Sequence, residues 1–484
     1  MQLCVRYVQI FEENTNFIPQ ALEDFVRLAH SDHEKVRYRA WYLFSRFVRG
    51  VKKRIGEVSQ TIIQAISDLL VIKAALPDVN DEAEDDDESS VSSSGMAADT
   101  VFNSQLHLFE AVGCISSAHS VPLENKVLYI QSVINPIFAD MEQTIGPANT
   151  NDERAILQIH HDMMALGTIA RGFTDWMPSS KQGESPPDSI QTEFVRAAEA
   201  VLVSLESLNA SMTIRTAARF SFSRLIGGMG AQALQQLPRW IDGLLTQRCS
   251  KEEMSFFLRL LDQVIFAFRS EILPILDVVI TPLLQRVFER LAETPTGTDD
   301  ELHLEDLRRE FLNFVLTILN NDLGAVLVSG ANQAVFEALV ECVSLFARQA
   351  ADLPTARLAF AVLIKMVSVW GGPDVSLTDA SACPQPALPG FDSYAVSRFS
   401  PLSWAIPASP GFRIRDPTAR NVIYEIAMMQ QEILKKTGNV YVEALRMELR
   451  GMGAAEGDID AYVSKLRGDP KQFKEFLVTF LGRG

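Results

Sequence analysis

Apolar residues recur at three- and four-residue spacing along almost the whole chain, and the alternation that marks a half-buried strand is nearly absent. The pattern predicts one amphipathic helix after another, among them Asp32–Lys53, Val58–Ala75, Val101–Ser117, Asn151–Phe173, Ser211–Gly227, Lys251–Phe268 and Leu353–Trp370. Connections are short, so neighbouring helices run antiparallel. A chain of 484 residues would ordinarily divide into about three globular domains. Stacked helix pairs escape that division, because each added pair extends one continuous core.

An internal repeat supports the stack. The segment Val36-Arg37-x-x-Ala40-x-x-x-Phe44-Ser45-Arg46-Phe47-Val48 returns 178 positions later as Ile214-Arg215-x-x-Ala218-x-x-x-Phe222-Ser223-Arg224-Leu225-Ile226. That offset is about four units of ~45 residues, the period of HEAT-type helix pairs. Small Ala40 and Ala218 let a neighbouring helix approach closely. Arg37 and Arg215 can bind carbonyls or an Asp of the adjacent repeat. Any two amphipathic helices share apolar positions; the added Phe-Ser-Arg match is what favours a repeat.

The expected fold is all-α, a right-handed HEAT-like helical-repeat solenoid: a superhelical arch of antiparallel helix pairs. Repeats are expected over 1–76 and 99–370, with further HEAT-like helices over 417–484. Between them, 77–98 is acidic and then Ser-rich, the composition of a disordered loop. Thr174–Ser189 reads as a second loop. Residues 371–416 with Pro417 carry eight prolines, so most of this stretch cannot be helical. Its aromatics, Phe391, Tyr394, Phe399, Trp404 and Phe412, point to an extended segment packed on the solenoid. The chain also starts apolar, with Leu3, Val5, Val8 and Ile10, where a solenoid needs a polar cap. On that pattern the chain reads as truncated, with further repeats expected before Met1.

The first residues are no signal peptide: a basic n-region is lacking, and Arg6, Glu12 and Glu13 interrupt the apolar stretch. Even Ser255–Phe288 is broken by Arg259, Asp262, Arg269 and Glu271, so a soluble chain without membrane association is expected. Cys4, Cys114, Cys249, Cys342 and Cys383 lie far apart, which fits neither a zinc site nor a disulfide framework and suits a reducing compartment.

A formal charge of −17 argues at first against a nucleic-acid partner. The charge is uneven, however. Asp78–Glu88 holds eight carboxylates, whereas Lys35–Arg54 holds eight Lys or Arg and no acid. Salt screens charges beyond about 8 Å, so a local field can outweigh the global sign. At ~100° per residue, Val36, Ala40, Leu43, Phe44, Phe47 and Val51 form the core stripe of the Asp32–Arg54 helix. Lys35, Arg39, Tyr42, Arg46, Arg49 and Lys53 form a second stripe away from it. Five cations and an aromatic suit contacts to phosphates, with guanidinium forks bridging oxygens. The alternative is a solvated face, or one paired with acids of an adjacent helix or of Asp78–Glu88. Arg215 with Arg219, and Arg413 with Arg415 and Arg420, are weaker sets better suited to structural ion pairs.

Signals for catalysis are poor. His160-His161-Asp162 lacks the spacing of H-E-x-x-H, and the other histidines are scattered. Gly228-Met229-Gly230-Ala231-Gln232-Ala233 fits G-x-G-x-x-A but follows a helix, whereas the dinucleotide fingerprint follows a strand. It reads as a helix C-cap and turn. No enzyme, cofactor or metal is expected.

The opening VRYVQIFEENTNFIPQALEDFVRLAHSDHEKVRYRAWYLFSRFVRGVKK resembles the central repeats of the exportin-T family of the importin-β (karyopherin) superfamily, in a fungal form. LPRWIDGLLTQ, FSPLSWAIPASPGFRIRDPTARNVIYEIA and DPKQFKEFLVTFLGR are similar to that family's C-terminal region. The resemblance implies a nuclear export receptor that binds tRNA together with the Ran GTPase in its GTP form. Such a receptor passes nuclear pore proteins and shuttles between nucleus and cytoplasm. Its Ran-binding repeats lie chiefly in an N-terminal half that has no counterpart here. tRNA recognition would rest on shape, with cations tracking the phosphates of A-form arms. Under that reading Lys35, Arg39, Arg46, Arg49 and Lys53 contact cargo phosphates, and Asp78–Glu88 tunes binding or repels non-cargo RNA. Two rivals remain: a HEAT scaffold or karyopherin with protein cargo, and a hydrolase on a helical scaffold, for which no residue constellation is present.

Overall fold

The computed structural model describes residues 1–76, 93–146, 152–173, 186–375 and 387–482. The acidic run, most of Thr174–Ser189 and Cys383 lie outside the described residues. Among the described residues, five helices begin where a side chain satisfies orphan N–H groups of the first turn. Asp152, Asp352, Asp416 and Asp469 each accept a backbone N–H, and the last two are followed by a proline at the first helical position. Ser250 and Glu253 form a reciprocal capping box. Among the described residues there are helices and turns and no strand.

The chain divides into two compact units, Met1–Cys249 and Ser250–Gly484, where a single run of repeats over 99–370 was expected. The boundary coincides with the Ser250 capping box. The first unit contains α1 (Gln2–Arg6), α2 (Val8–Glu13), α3 (Ile18–Ala29), α4 (Glu34–Gly50), α5 (Ser59–Ala65), α6 (Ser93–Ser116), α7 (Leu123–Ile145), α8 (Glu153–Ala170), α9 (Asp188–Leu208), α10 (Met212–Met229) and α11 (Ala233–Leu244). Helices α4, α6, α8 and α10 pack side by side in one layer; α3, α5, α7, α9 and α11 form the other. Leu22, Phe25, Phe44 and Phe47 fill the first pair, and Phe222 stacks on Trp240 at 4.3 Å in the last. Leu3 and Ile10, on the two opening helices, are exposed.

The second unit contains α12 (Lys251–Phe268), α13 (Leu273–Leu291), α14 (Thr298–Asn320), α15 (Gln333–Ala347), α16 (Leu353–Trp370), α17 (Phe391–Arg398), α18 (Leu402–Ala405), α19 (Pro417–Thr437), α20 (Asn439–Gly451), α21 (Glu456–Leu466) and α22 (Pro470–Leu481). Here α12, α14, α16, α19 and α22 stack in sequence. By length and apolar composition α16 could cross a membrane, which the sequence reading passed over. It is packed against α14, α15 and α19, as a core helix is.

The repeat pairs are visible in three dimensions. Arg37 donates from Nη1 to the carbonyl of Ser31, six residues upstream, at 3.3 Å. Arg215 does the same to Asn209 at 2.6 Å, and reaches Ala210 as well. Ala40 and Ala218, Phe44 and Phe222 are buried at matching positions. Helices α6 and α8 approach at backbone distance. A Cβ on Gly113 would lie 2.2 Å from the Ile169 carbonyl oxygen, and one on Gly172 would lie 2.1 Å from that of Gly113.

Four local expectations are corrected. Helix α6 starts at Ser93, inside the expected 77–98 loop, because Met96, Ala97 and Ala98 are strong helix formers. Helix α5 ends at Ala65 and gives way to a 3-10 turn over Ser67–Leu70 rather than running to Ala75. Side chains replace its lost ladder: Gln105 Nε2 donates to the carbonyls of Leu69 and Val71, and Gln158 bonds Ile72 and Ala74. The 371–416 segment is not simply extended, since α17 and α18 lie within it, with Pro401 sitting at the α18 N-cap rather than inside a helix. Its Phe391 and Phe399 are buried, and Phe391 meets Trp370 at 5.5 Å. Val36, assigned to the core stripe, is 39% exposed, while its repeat partner Ile214 is buried.

Candidate nucleic-acid interface

Helix α4 buries Ala40, Leu43, Phe44, Phe47 and Val48, and anchors Trp41 by an Nε1 hydrogen bond to the carbonyl of Ala29 at 3.0 Å. With those positions facing inward, Lys35, Arg39, Arg46 and Arg49 are left exposed and Tyr42 half-buried. Lys53 does not join them on the helix. Gly50 is the last α4 residue, and Lys52–Arg54 form a 3-10 turn, so the expected register breaks before Lys53.

Tyr42 organises the stripe. The Arg39 guanidinium lies 5.1 Å from its ring centroid and that of Arg46 5.8 Å, while Arg46 Nη1 donates to the phenol oxygen at 3.1 Å. His107 of α6 meets the same ring edge-on at 5.2 Å. Cation–π contacts of this kind hold exposed guanidinium planes in place while leaving their N–H groups available. Among the described residues, Lys35, Arg39, Arg46 and Lys53 have no carboxylate partner.

Arg49 does have one. It pairs with Glu110 of α6, which also accepts from Ser45 Oγ at 3.0 Å and from Arg171 Nη1 at 2.9 Å. His107, with Nδ1 3.7 Å away, is the largest influence on Glu110. Together with Arg49, Ser45 and Arg171 it outweighs burial and holds the carboxyl at about 2. Beyond Arg171 stands Arg224 of α10, its guanidinium 3.3 Å from the Phe220 ring centroid. Burial, aided by the charge of Arg171 and opposed by Glu110, lowers it to about 10. Stacked helices therefore align Arg39, Arg46, Arg49, Arg171 and Arg224 along one layer, with Glu110 as the single carboxylate among these groups.

Sequence reasoning missed Glu110, Arg171 and Arg224 as members of this row. Arg224 had a signal: it occupies the repeat position of Arg46 in the Phe-Ser-Arg match. Arg215 and Arg219, considered as a weaker set, are buried and serve the packing. Arg413, Arg415 and Arg420 are exposed on the second unit, where Arg420 Nε approaches the Ile414 carbonyl at 3.4 Å. His161 is buried and stacked on Phe102 at 3.7 Å, and no metal-binding group of His, Cys, Asp or Glu occurs among the described residues. Gly230, with φ +60°, closes α10 as a C-cap turn; a side chain there would be strained.

The chain is 52% identical to an Exportin-T of Phaeosphaeria nodorum over 495 residues, covering 100% of this chain and 47% of that protein. An Exportin-T of Aspergillus niger is also 52% identical, over 488 residues, with 100% and 47% covered. The chain thus spans about half the length of the curated relatives it matches. Among solved structures, the karyopherin Kap121p bound to the SUMO protease Ulp1p superposes with a TM-score of 0.35 at 12% identity, over 96% of this chain and 44% of that one. Importin beta superposes at 0.33 and 10% identity, over 89% and 54%. Neither superposition is close. The family model described as Exportin-T matches residues 1–484, and with half the sequence shared with the fungal proteins, this chain belongs to the Exportin-T family.

Proposed function

We propose that this chain is part of a nuclear export receptor for tRNA. It would bind tRNA with the Ran GTPase in its GTP form, pass nuclear pore proteins and shuttle between nucleus and cytoplasm. No catalytic step is involved: the work is recognition and release. The observation that supports RNA as cargo is the row on the α4/α6/α8/α10 layer, where cations outnumber carboxylates and two guanidinium groups flank Tyr42. In that role Lys35, Arg39, Arg46, Arg49 and Lys53 contact phosphates, joined by Arg171 and Arg224. A folded tRNA presents phosphates along A-form arms, and fixed guanidinium forks read their spacing and not their sequence.

The test is tRNA affinity as a function of salt, for this chain and for a variant with Lys35, Arg39, Arg46, Arg49 and Lys53 all changed to Ala. Each lost phosphate contact should lower the slope of log K against log salt by about 0.7–0.9. An unchanged affinity with an unchanged slope would remove the stripe from the mechanism. The net charge of −17 favours a second reading, a karyopherin or scaffold with protein cargo, which predicts no salt-dependent tRNA binding.

A further inference from the structure

Residues of α5, α7, α8 and the chain at Leu70–Ile72 line a half-open cavity of about 610 Å³. Ile63, Leu70, Val133 and Ile137 give it apolar walls, and Asp140 of α7 and Asp162 of α8 are its only titratable lining groups among the described residues. Pro136 inside α7 has no N–H, so the carbonyl of Ser132, another lining residue, lacks its helical donor.

The two carboxyls differ. Asp140 accepts from Gln158 Nε2, and that amide is fully committed: it also donates to the Ile72 carbonyl and accepts from the Ala74 N–H. Asp162 is 0% exposed, and neither of its oxygens has a hydrogen-bond partner. Burial first, then the charge of Asp140 and its side-chain interaction with Asp162, raise the pKa well above the ordinary carboxyl value, against a smaller opposing interaction with Gln158. Its surroundings therefore favour the protonated form of Asp162.

The rest of the polar lining is uncharged: Gln64, Gln143, and Ser67 and Ser132, whose hydroxyls donate to the carbonyls of Gln64 and Tyr129. A buried carboxyl without a partner is unfavourable, and a charged donor on an apolar stem supplies what is missing. The volume falls in the range of pockets that enclose small ligands, about 300–1,000 Å³. No third His, Cys or carboxylate completes a metal site here. We propose that this cavity binds an organic cation, an ammonium or guanidinium group on an aliphatic stem, with Asp162 and Asp140 as its counter-charge. A bound cation favours the ionised form of Asp162, so affinity rises with pH. The ligand is either a free amine or a Lys or Arg side chain of a partner protein. The proposal uses none of the residues of the RNA reading and stands apart from it.

Calorimetric titration of the 484-residue chain with pentylamine, 1-pentanol and Nα-acetyl-lysine-N-methylamide tests it. Pentylammonium should bind at least ~10-fold more tightly than the isosteric alcohol. Its binding should release protons, read from the dependence of the heat on buffer ionisation. In Asp162→Asn the preference for the cation should fall to within about twofold. Thermal melting checks that this variant folds, and the amine-to-alcohol ratio in the unaltered chain tests the proposal even if it does not. Binding of the lysine derivative alongside pentylamine supports a peptide ligand; binding of pentylamine alone supports a free amine. Equal affinity for amine and alcohol, no binding of either cation, or a preference that survives in a folded Asp162→Asn would overturn the proposal.

Discussion

Arg49 of α4 and Arg171, in the turn that follows α8, converge on a single carboxylate, Glu110 of α6. Under the proposed function, Glu110 and an RNA phosphate compete for the same two guanidinium groups. Glu110→Gln should therefore release both guanidinium groups and tighten tRNA binding several-fold, with a steeper salt dependence. Filter-binding titrations between 50 and 200 mM salt, the range over which phosphate contacts are most telling, check it. A weaker complex would mean that Glu110 positions the arginines rather than competing for them.

The same carboxyl predicts acid sensitivity. Its folded pKa of about 2 is below the ordinary value, so its contribution is present above about 4.5 and is lost as pH falls toward 2. After solvent screening the loss is on the order of 1 kcal/mol. Acid unfolding of Glu110→Gln should lack that component.

Asp262 carries the opposite sign. Its Oδ1 has no hydrogen-bond partner, and burial, with Glu310 adding to it and Thr317 opposing, raises the group to about 7. Protons bind the folded state more tightly, so stability falls as pH rises from the unfolded value near 4 to about 7. Asp262→Asn should raise the melting temperature at pH 8 and change it little at pH 4. The gain should be about 1–2 kcal/mol. Melting curves at the two pH values decide it.

The two repeat arginines should differ in cost. Arg215 is 2% exposed and binds two carbonyls at the end of α9, whereas Arg37 reaches one carbonyl at longer distance, pairs with the exposed Glu34 at 3.7 Å and keeps about a quarter of its side chain in solvent. Arg215→Ala should destabilise by about 2–4 kcal/mol and Arg37→Ala by about 1 kcal/mol or less. Urea titrations give both values.

Gly113→Ala should also destabilise, by roughly 1–3 kcal/mol, because its methyl group would meet the Ile169 carbonyl rather than a side chain that can turn away. The α6–α8 contact would open, separating Glu110 from Arg171. Melting and tRNA affinity should move together in this variant, unlike Arg46→Ala, in which only affinity changes. Identical melting temperatures for Gly113→Ala and the unaltered chain would contradict the close approach.

Much of the candidate site was legible one helix at a time. Arg39, Arg46 and Arg49 share a face because a 3.6-residue period places them there, and burial of Phe44 and Phe47 leaves that face outward. Lys53 and Val36 were misassigned for one reason: both lie at helix ends, where the period no longer governs and caps and turns do. Glu110, Arg171 and Arg224 lay beyond periodicity altogether, because their relation to Arg49 crosses helices.

Spacing of apolar residues and the Phe-Ser-Arg match were enough, without coordinates, to specify helices, their antiparallel pairing and the equivalence of Arg37 with Arg215. These are short-range properties, set within a few turns of backbone. Only the packed chain decided which acid meets which arginine, and that a second carboxyl, Asp162, is left buried without a hydrogen bond. Those outcomes depend on interhelical distances of a few ångströms, set by glycines such as Gly113 and by the volume of every core side chain between the helices, and no local pattern encodes them.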